Sequence, residues 1–124
     1  MTGIDPFVKE GAHMKVVFVN SDRIGEGSEE LGGKLMASFF YSLARAERRP
    51  DAVLFMNAGV RLTCEGSPAL DDIALLAGDG VTIASCGTCL DYYGLTEALA
   101  VGAVGNMNDT VATFMAADDV VSIG

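Results

Sequence analysis

The stretch VTIASCGTCLDYYGL, residues 81–95, constrains both the fold and the site more than any other part of the chain. Its first four residues are an apolar run typical of a buried strand. The residues that follow predict a short helix, with Thr88 as its N-cap and Asp91 three positions later. Cys86 and Cys89, in C-x-x-C spacing, therefore lie where a strand ends and a helix begins. Free backbone N–H groups and the positive end of a helix dipole favour the nucleophilic thiolate at such a position.

Strand-like and helix-like segments alternate on both sides of this stretch. Buried strands are predicted at residues 15–20 and 52–57, because both runs are apolar and rich in β-branched or aromatic residues. Shorter strands are predicted at residues 101–104 and 120–123. Together with the strand at residues 81–84, they indicate one α/β domain, a three-layer sandwich around a mainly parallel, five-stranded sheet. Loops that follow parallel strands gather at one edge of the sheet, where ligands of such folds bind.

Three longer helices are predicted between the strands. The first has Ser28 as its expected N-cap. Its apolar stripe is predicted to consist of Leu31, Leu35, Phe39 and Leu43, with Met36 and Phe40 beside them. Residues 58–66 are predicted to be a loop, and the second helix is expected to start at Ser67, with a proline at its first helical position. The third helix is expected to be capped by Asn106 or Asn108.

The composition and charge of the chain limit the partners and the compartment that we expect. The chain has 124 residues, a net charge of −9 and a sequence pI of about 4.3. Binding to phosphates needs a basic face, so we expect no nucleic-acid partner. No apolar run approaches the ~20 residues that span a bilayer and no signal peptide is evident, so we expect a cytoplasmic protein without a membrane partner. Three cysteines are an odd number, which does not suggest a secreted disulfide scaffold.

The first 13 residues look foreign to the domain. They resemble a vector-derived segment, and Met14 is the expected first native residue, so we expect the domain to span residues 14–124. The only histidine of the chain, His13, falls in the excluded segment. Without it, Ser-His-Asp catalysis, Cys-His catalysis and a histidine-containing zinc site are excluded.

The three cysteines carry the predicted chemistry. Cys86 directly precedes the short helix, so we predict that it is the nucleophile, with Cys89 as a resolving or auxiliary thiol. The alternative is that both are small buried core residues. Cys64 follows the second strand and is either a third thiol of the same site or an ordinary loop cysteine. We expect no cofactor and no metal, because three cysteines without histidine are not a strong zinc pattern.

Other polar residues also follow strands and are candidates to line a pocket at the same edge. They are Asn20, Asp22, Arg23 and Asn57. The alternative is that they cap turns. Residues 25–28 precede a helix but lack the lysine of a phosphate-binding loop, so a plain turn is expected there. Tyr92 and Tyr93 are interpreted as packing residues.

Four segments of this chain together resemble a known family. They are residues 17–27, 54–60, 62–68 and 85–95. They resemble the C-terminal domain of YedF-type selenium metabolism proteins, a branch of the DsrE-like sulfur-relay family. The resemblance covers residues 14–123 and implies a DsrE-like α/β sandwich that associates as a trimer or hexamer. It places the carrier cysteine after a sheet strand, where this chain has Cys86.

The resemblance implies a sulfur or selenium carrier, a sulfurtransferase that moves sulfane sulfur as a cysteine persulfide. It implies sulfur-donor and sulfur-acceptor proteins as partners, among them a TusA-like protein or domain. YedF-type chains carry a TusA-like domain ahead of this one, so we expect either a truncated chain or a stand-alone relative. Two alternatives stay open: a dithiol–disulfide oxidoreductase that uses the C-x-x-C pair, and a non-catalytic interaction subunit of a sulfur-relay assembly.

Overall fold

Every strand of the described chain runs parallel to its neighbours. The strands are β1 (Lys15–Val19), β2 (Ala52–Phe55), β3 (Thr82–Cys86), β4 (Ala103–Gly105) and β5 (Asp119–Ile123). They form one five-stranded sheet in the order β4-β3-β2-β1-β5 in the computed structural model, which describes residues 13–124. In register, Val17 pairs with Val53 on one side and with Val121 on the other. The predicted α/β fold with a parallel, five-stranded sheet is confirmed.

The helices divide between the two faces of the sheet. They are α1 (Glu29–Ala44), α2 (Leu70–Gly78), α3 (Gly87–Tyr92) and α4 (Met107–Ala116), with 3₁₀ segments at Asn57–Thr63 and Thr96–Ala98. The chain steps from β1 to β4 in one direction and then returns through α4 to β5 at the opposite edge. Because parallel crossovers are right-handed, this reversal places α4 on the other face from α1 and α2. Within the described part of the chain, no helix is both long and apolar enough to cross a membrane.

The larger core lies between the sheet and the α1–α2 face. Val17, Val53 and Ile83 supply its sheet side, and Met36 and Phe40 of α1 cover them. Phe40 stacks on Phe55 with ring centroids 5.8 Å apart. Burying a large apolar side chain contributes about 1.5–3 kcal/mol, so this layer supplies most of the stability of the fold.

The second core lies under α4 and is thinner. Val16 and Leu54 are buried there, and Phe18 meets Phe114 of α4 edge to face at 5.3 Å. Met107 and Met115 of the same helix stay 56% and 79% exposed. One helix therefore covers this face only in part, and apolar side chains remain accessible on it.

The buried face of α1 agrees with the predicted stripe at Met36 and Phe40 but not at Leu31 and Leu35. Ser28 caps the helix as predicted, its Oγ accepting the Leu31 N–H at 3.1 Å. The buried residues, however, are Gly32, Met36, Phe40 and Ala44, while Leu31 and Leu35 are 55% and 44% exposed. The first turn of α1 explains this difference, since Gly32 packs so closely there that a Cβ on it would lie 2.9 Å from the Arg23 Cβ. Only glycine allows α1 to approach Arg23 this closely. The approach rotates α1 by one residue, so that the face of Gly32, Met36, Phe40 and Ala44 is turned to the core.

Three local predictions are wrong and one is confirmed. Residues 58–66 are not a loop, because a 3₁₀ helix occupies Asn57–Thr63. The N-cap of α2 is Ala69, whose N–H donates to the Ser67 Oγ, so the serine begins the turn that leads into the helix and does not cap the helix itself. Thr88 does not cap α3, because the helix begins at Gly87 and its N-cap is Cys86. Asn106 caps α4, accepting the Asp109 N–H at 2.8 Å.

The 3₁₀ helix is seated directly on the end of β1. A Cβ on Gly59 would fall far inside van der Waals contact with the Val19 carbonyl oxygen and 3.1 Å from the Val19 carbonyl carbon. The backbone is tied at the same place, because the Met56 N–H donates to the Val19 carbonyl at 2.9 Å. Glycine at position 59 therefore sets how close the segment that begins at Asn57 comes to the sheet.

We predict that Gly59→Ala destabilises the protein by about 1–3 kcal/mol, because the 3₁₀ helix must move away from β1 to admit the methyl group. Gly33→Ala is the matched control, since a Cβ there meets nothing within 4 Å and alanine is the better helix former. Urea unfolding of both variants measures the difference. Equal stabilities of the two variants would contradict the assigned close contact.

Candidate functional site

The carboxyl ends of β1, β2 and β3 bring the site together. Cys86 is the last residue of β3 and the N-cap of α3, with φ −60° and ψ 124°. Asn57 follows β2, and Asp22 follows β1. Because α3 has only six residues, its dipole is short, and the position of Cys86 at the strand end matters more than the helix.

Cys86 and Cys89 form a close pair of free thiols. They approach each other to 3.4 Å, and both are half-buried. The backbone N–H of Asn57 donates to the Cys89 Sγ at 3.1 Å. Burial raises the pKa of Cys89, the Asn57 N–H opposes that rise, and contact with the Cys86 thiol adds to it. Cys89 is thus an oriented thiol that holds its proton more tightly than a free cysteine.

Asn57 owes its orientation to a strained backbone and a side-chain partner. Its φ of 53° lies in the left-handed region, which asparagine tolerates better than most residues. The Tyr93 hydroxyl donates to Asn57 Oδ1 at 2.6 Å. The Arg61 guanidinium lies 4.6 Å from the Tyr93 ring centroid and pairs with Asp22 at 3.3 Å. A continuous chain of contacts therefore runs from the end of β1 to the thiol pair.

A buried polar pair supports the strand end beneath Cys86. Thr63 and Ser85 are both fully buried, and their hydroxyl oxygens are 2.7 Å apart. Thr63 donates its single hydroxyl proton to the Val60 carbonyl at 2.9 Å, so Ser85 donates to Thr63. Both hydroxyls are satisfied, and they join the 3₁₀ helix to β3 next to the candidate nucleophile.

Cys64 is more enclosed than the thiol pair. It is 2% exposed, and its Sγ donates to the Val60 carbonyl at 3.2 Å. Burial raises the pKa of the Cys64 thiol, the neighbouring Thr63 side chain lowers it, and the charge of Glu65 raises it. A buried thiol that keeps its proton is poorly suited to nucleophilic attack. Its role as a third thiol of the site stays a prediction.

Two clefts flank this network. A polar cleft of about 750 Å³ is lined by Asn20, Arg23 and Asn57, and it lies where β1 meets β5 and the strand order reverses. Ligands of open α/β sheets bind at such reversal points. A more apolar cleft of about 460 Å³ lies beside Arg61 and Tyr93 and reaches Cys64. Asp22 lines this second cleft.

The four predicted pocket residues line different clefts: Asn20, Arg23 and Asn57 line the polar cleft, and Asp22 lines the apolar one. Asn57 contacts the thiol pair directly, whereas Asp22 reaches it only through Arg61 and Tyr93. Sequence reasoning missed Arg61 and interpreted Tyr93 as a packing residue. The available signal was that Arg61 follows β2 and Tyr93 ends α3, so both belong to segments expected at the same edge.

The remaining predictions concern metals and the first residues. Within residues 13–124, no group of three or more His, Cys, Asp or Glu side chains is placed to hold a metal ion. The predicted vector-derived segment lies outside the described residues except for His13, whose ring contacts the Asp119 carboxylate. That contact lowers the pKa of Asp119, which lies at the surface and far along the chain from the thiols.

We predict that Tyr93→Phe raises the pH at which Cys89 becomes reactive toward an alkylating agent. Loss of the hydroxyl frees Asn57, whose N–H otherwise stabilises the Cys89 thiolate, so the pKa of Cys89 rises further. At a fixed pH below its midpoint, Cys89 then reacts about threefold more slowly, equivalent to roughly half a pH unit. Rates are measured by peptide mapping, with Cys86 in the same chain as the internal reference.

Tyr92→Phe is the matched control for this experiment, because Tyr92 is 83% exposed beside Tyr93. Its Cys89 profile is expected to follow the wild type. Identical profiles for all three proteins would show that Asn57 is held in place without the Tyr93 hydroxyl.

Comparison with known proteins supports the fold. No protein-family model matches the chain, and no curated protein matches it. The ychN protein from E. coli superposes with a TM-score of 0.69 at 18% identity, covering 90% of this chain and 99% of that one. MTH1491 of Methanobacterium thermoautotrophicum, described as a protein of unknown function, gives 0.63 at 20% identity, with 89% and 98% covered.

BT1422 of Bacteroides thetaiotaomicron, a conserved protein of unknown function, gives a TM-score of 0.59 at 15% identity, covering 88% of this chain and 94% of that one. All three are matched over nearly their full lengths, so the similarity extends to the whole sheet and its helices. At these identities the likeness concerns the fold alone. The chain has a DsrE-like fold.

Proposed function

We propose that this protein carries sulfane sulfur as a persulfide on Cys86. The observation that carries the proposal is the position of Cys86: it ends β3, is half-buried, and lies 3.4 Å from a second thiol. Cys89 is oriented by the Asn57 N–H, so the two sulfurs occupy defined positions. A half-buried thiol suits a carrier, because its cargo is reachable by a partner yet partly shielded from water.

The loading step is a transfer between sulfurs. The Cys86 thiolate attacks the outer sulfur of a donor persulfide, a new S–S bond forms on Cys86, and the donor leaves as its thiol after taking up a proton. Delivery to an acceptor thiol reverses these roles. No electrons are gained or lost overall, so the carrier needs neither a metal nor a redox cofactor.

The partners we propose are sulfur-donor and sulfur-acceptor proteins, among them a TusA-like protein. The net charge of −9 favours partners with basic faces, which electrostatic attraction would steer to this chain. We further propose the finer assignment to the YedF-type branch, with selenium as an alternative cargo. The proposed compartment is the cytoplasm, whose reducing conditions keep cysteines in the free state described here.

A second candidate function rests on the same short distance. Two thiols 3.4 Å apart in C-x-x-C spacing can be oxidised to a disulfide with little movement, which favours a dithiol–disulfide oxidoreductase. We rank the oxidoreductase second because burial raises the pKa of Cys89. A thiol that stays protonated at neutral pH takes part in thiol–disulfide exchange only slowly.

Mass spectrometry tests the carrier. Incubation of reduced Cys89→Ser with glutathione persulfide, without oxygen, is expected to add one sulfur atom per chain at Cys86. The Cys86→Ser, Cys89→Ser double variant keeps Cys64 and is the matched control, in which no adduct is expected because Cys64 is buried. An adduct on Cys64, or none in either protein, would contradict the proposal.

We also propose that the protein assembles with copies of itself as a trimer or hexamer. Supporting observations are the apolar side chains left exposed along α4, where Met107, Val111 and Met115 are 56%, 49% and 79% exposed. Apolar residues grouped on one face are typical of protein contacts, and copies that each carry −9 would meet with least repulsion at uncharged surfaces.

Analytical ultracentrifugation tests the assembly. We predict that the wild type sediments as a trimer or hexamer and that Val111→Lys dissociates it, because a buried unpaired charge is costly. Glu47→Lys, in the exposed loop between α1 and β2, is the control and is expected to leave the assembly intact. A monomeric wild type, or equal behaviour of both variants, would contradict the proposed interface.

A further inference from the structure

The carrier cysteine has a second nucleophile directly beside it. Cys89 lies in the first turn of α3, and it approaches Cys86 to 3.4 Å. A disulfide bond is about 2.05 Å long, so the two sulfurs need to close by little more than an ångström. Neither cysteine is in a disulfide in this structure. A pure carrier has no need of a second thiol at this distance.

We propose that Cys89 cleaves the Cys86 persulfide, releasing hydrogen sulfide and leaving a Cys86–Cys89 disulfide. The proposal rests on the proposed function, since it starts from the loaded Cys86. It adds a second activity to the same site: the protein reduces the sulfane sulfur it carries when no acceptor removes it.

The step balances in atoms and electrons. Cys89 gives its proton to solvent, and its thiolate attacks the Cys86 Sγ. The Cys86–Cys89 bond forms as the bond between Cys86 and the outer sulfur breaks, and the outer sulfur leaves with the electron pair and takes up a proton. The outer sulfur is reduced to sulfide, and the two cysteine sulfurs are oxidised to the disulfide. An external dithiol reductant restores both thiols by disulfide exchange and becomes a disulfide itself.

The geometry favours attack on the inner sulfur. The Asn57 N–H holds the Cys89 Sγ at 3.1 Å, and the atom that Cys89 faces from there belongs to Cys86 itself. The outer sulfur is one bond further out, on the Cys86 side chain. Attack on that outer sulfur would only pass the cargo to Cys89 without releasing sulfide, so the two courses are distinguishable.

The environment of Cys89 also keeps the release of sulfide slow. Burial raises the pKa of Cys89, so at neutral pH most of its population is the unreactive thiol. The Asn57 N–H offsets part of that effect and keeps a small thiolate fraction. The loaded carrier therefore has time to meet an acceptor before Cys89 discharges it.

The experiment uses the full chain, reduced and kept free of oxygen. The protein is loaded with inorganic polysulfide and desalted, and then sulfide, intact mass and disulfide-linked peptides are followed with time. The wild type is expected to release one sulfide per loaded chain and to end with Cys86 linked to Cys89. Added dithiothreitol should restore the thiols and permit another round. Tyr92→Phe, at a side chain that is 83% exposed, is the control and is expected to behave as the wild type.

Cys89→Ser and Cys89→Ala are expected to keep the persulfide on Cys86 and to release sulfide at least about tenfold more slowly, since a hydroxyl or methyl group cannot attack. Two substitutions are used so that a folding defect in one does not decide the result. Release from both at the wild-type rate would overturn the inference, as would a stable persulfide on wild-type Cys86 or one transferred to Cys89. A stable persulfide on wild-type Cys86 leaves the carrier function standing, whereas no persulfide in either Cys89 variant overturns that function itself.

Discussion

The common direction of the strands is the constraint on which the site depends. Because β1, β2 and β3 are parallel neighbours, their carboxyl ends open onto the same edge of the sheet. Residues distant in the chain, Asn57 and Cys89, are thereby brought within hydrogen-bond distance. Two contacts then fix the position of the 3₁₀ helix: the close packing of Gly59 against β1, and the buried hydrogen bond between Thr63 and Ser85 of β3. Any change in strand direction would separate the backbone donor from the thiol.

Within that frame, the chemistry of Cys89 is a balance of two opposing effects. Removal from water favours the neutral thiol, and a backbone N–H aimed at the sulfur favours the thiolate. Burial is the larger effect, so Cys89 is held in position but kept protonated. Cys86, at the end of β3, is not pinned by a comparable backbone donor among the described residues. The pair thus combines an accessible sulfur with a restrained one.

Sequence patterns predicted the fold well because the strands are short, apolar and separated by helical segments. They failed where one contact overrides a pattern. The four-residue repeat of α1 has two possible inner faces, and the packing of Gly32 against Arg23 selects the one led by Met36 and Phe40. The 3₁₀ helix at Asn57–Thr63 has no strong periodicity, so it was expected to be a loop.

The candidate site was predictable in part. C-x-x-C spacing after an apolar run identified Cys86 and Cys89, because local sequence places them at a strand end. Arg61 and Tyr93 could not be assigned in the same way. Their contact depends on two segments meeting at the sheet edge, which is a property of the tertiary structure rather than of either segment.

The most direct test of this account is the alkylation rate of each cysteine in the reduced wild type, measured against pH by peptide mapping. The account holds that Cys86 is the reactive thiol, Cys89 a restrained and mostly protonated one, and Cys64 a buried one. It therefore predicts that at neutral pH Cys86 is modified first, Cys89 more slowly and Cys64 last. Modification of Cys89 or Cys64 ahead of Cys86 would contradict it.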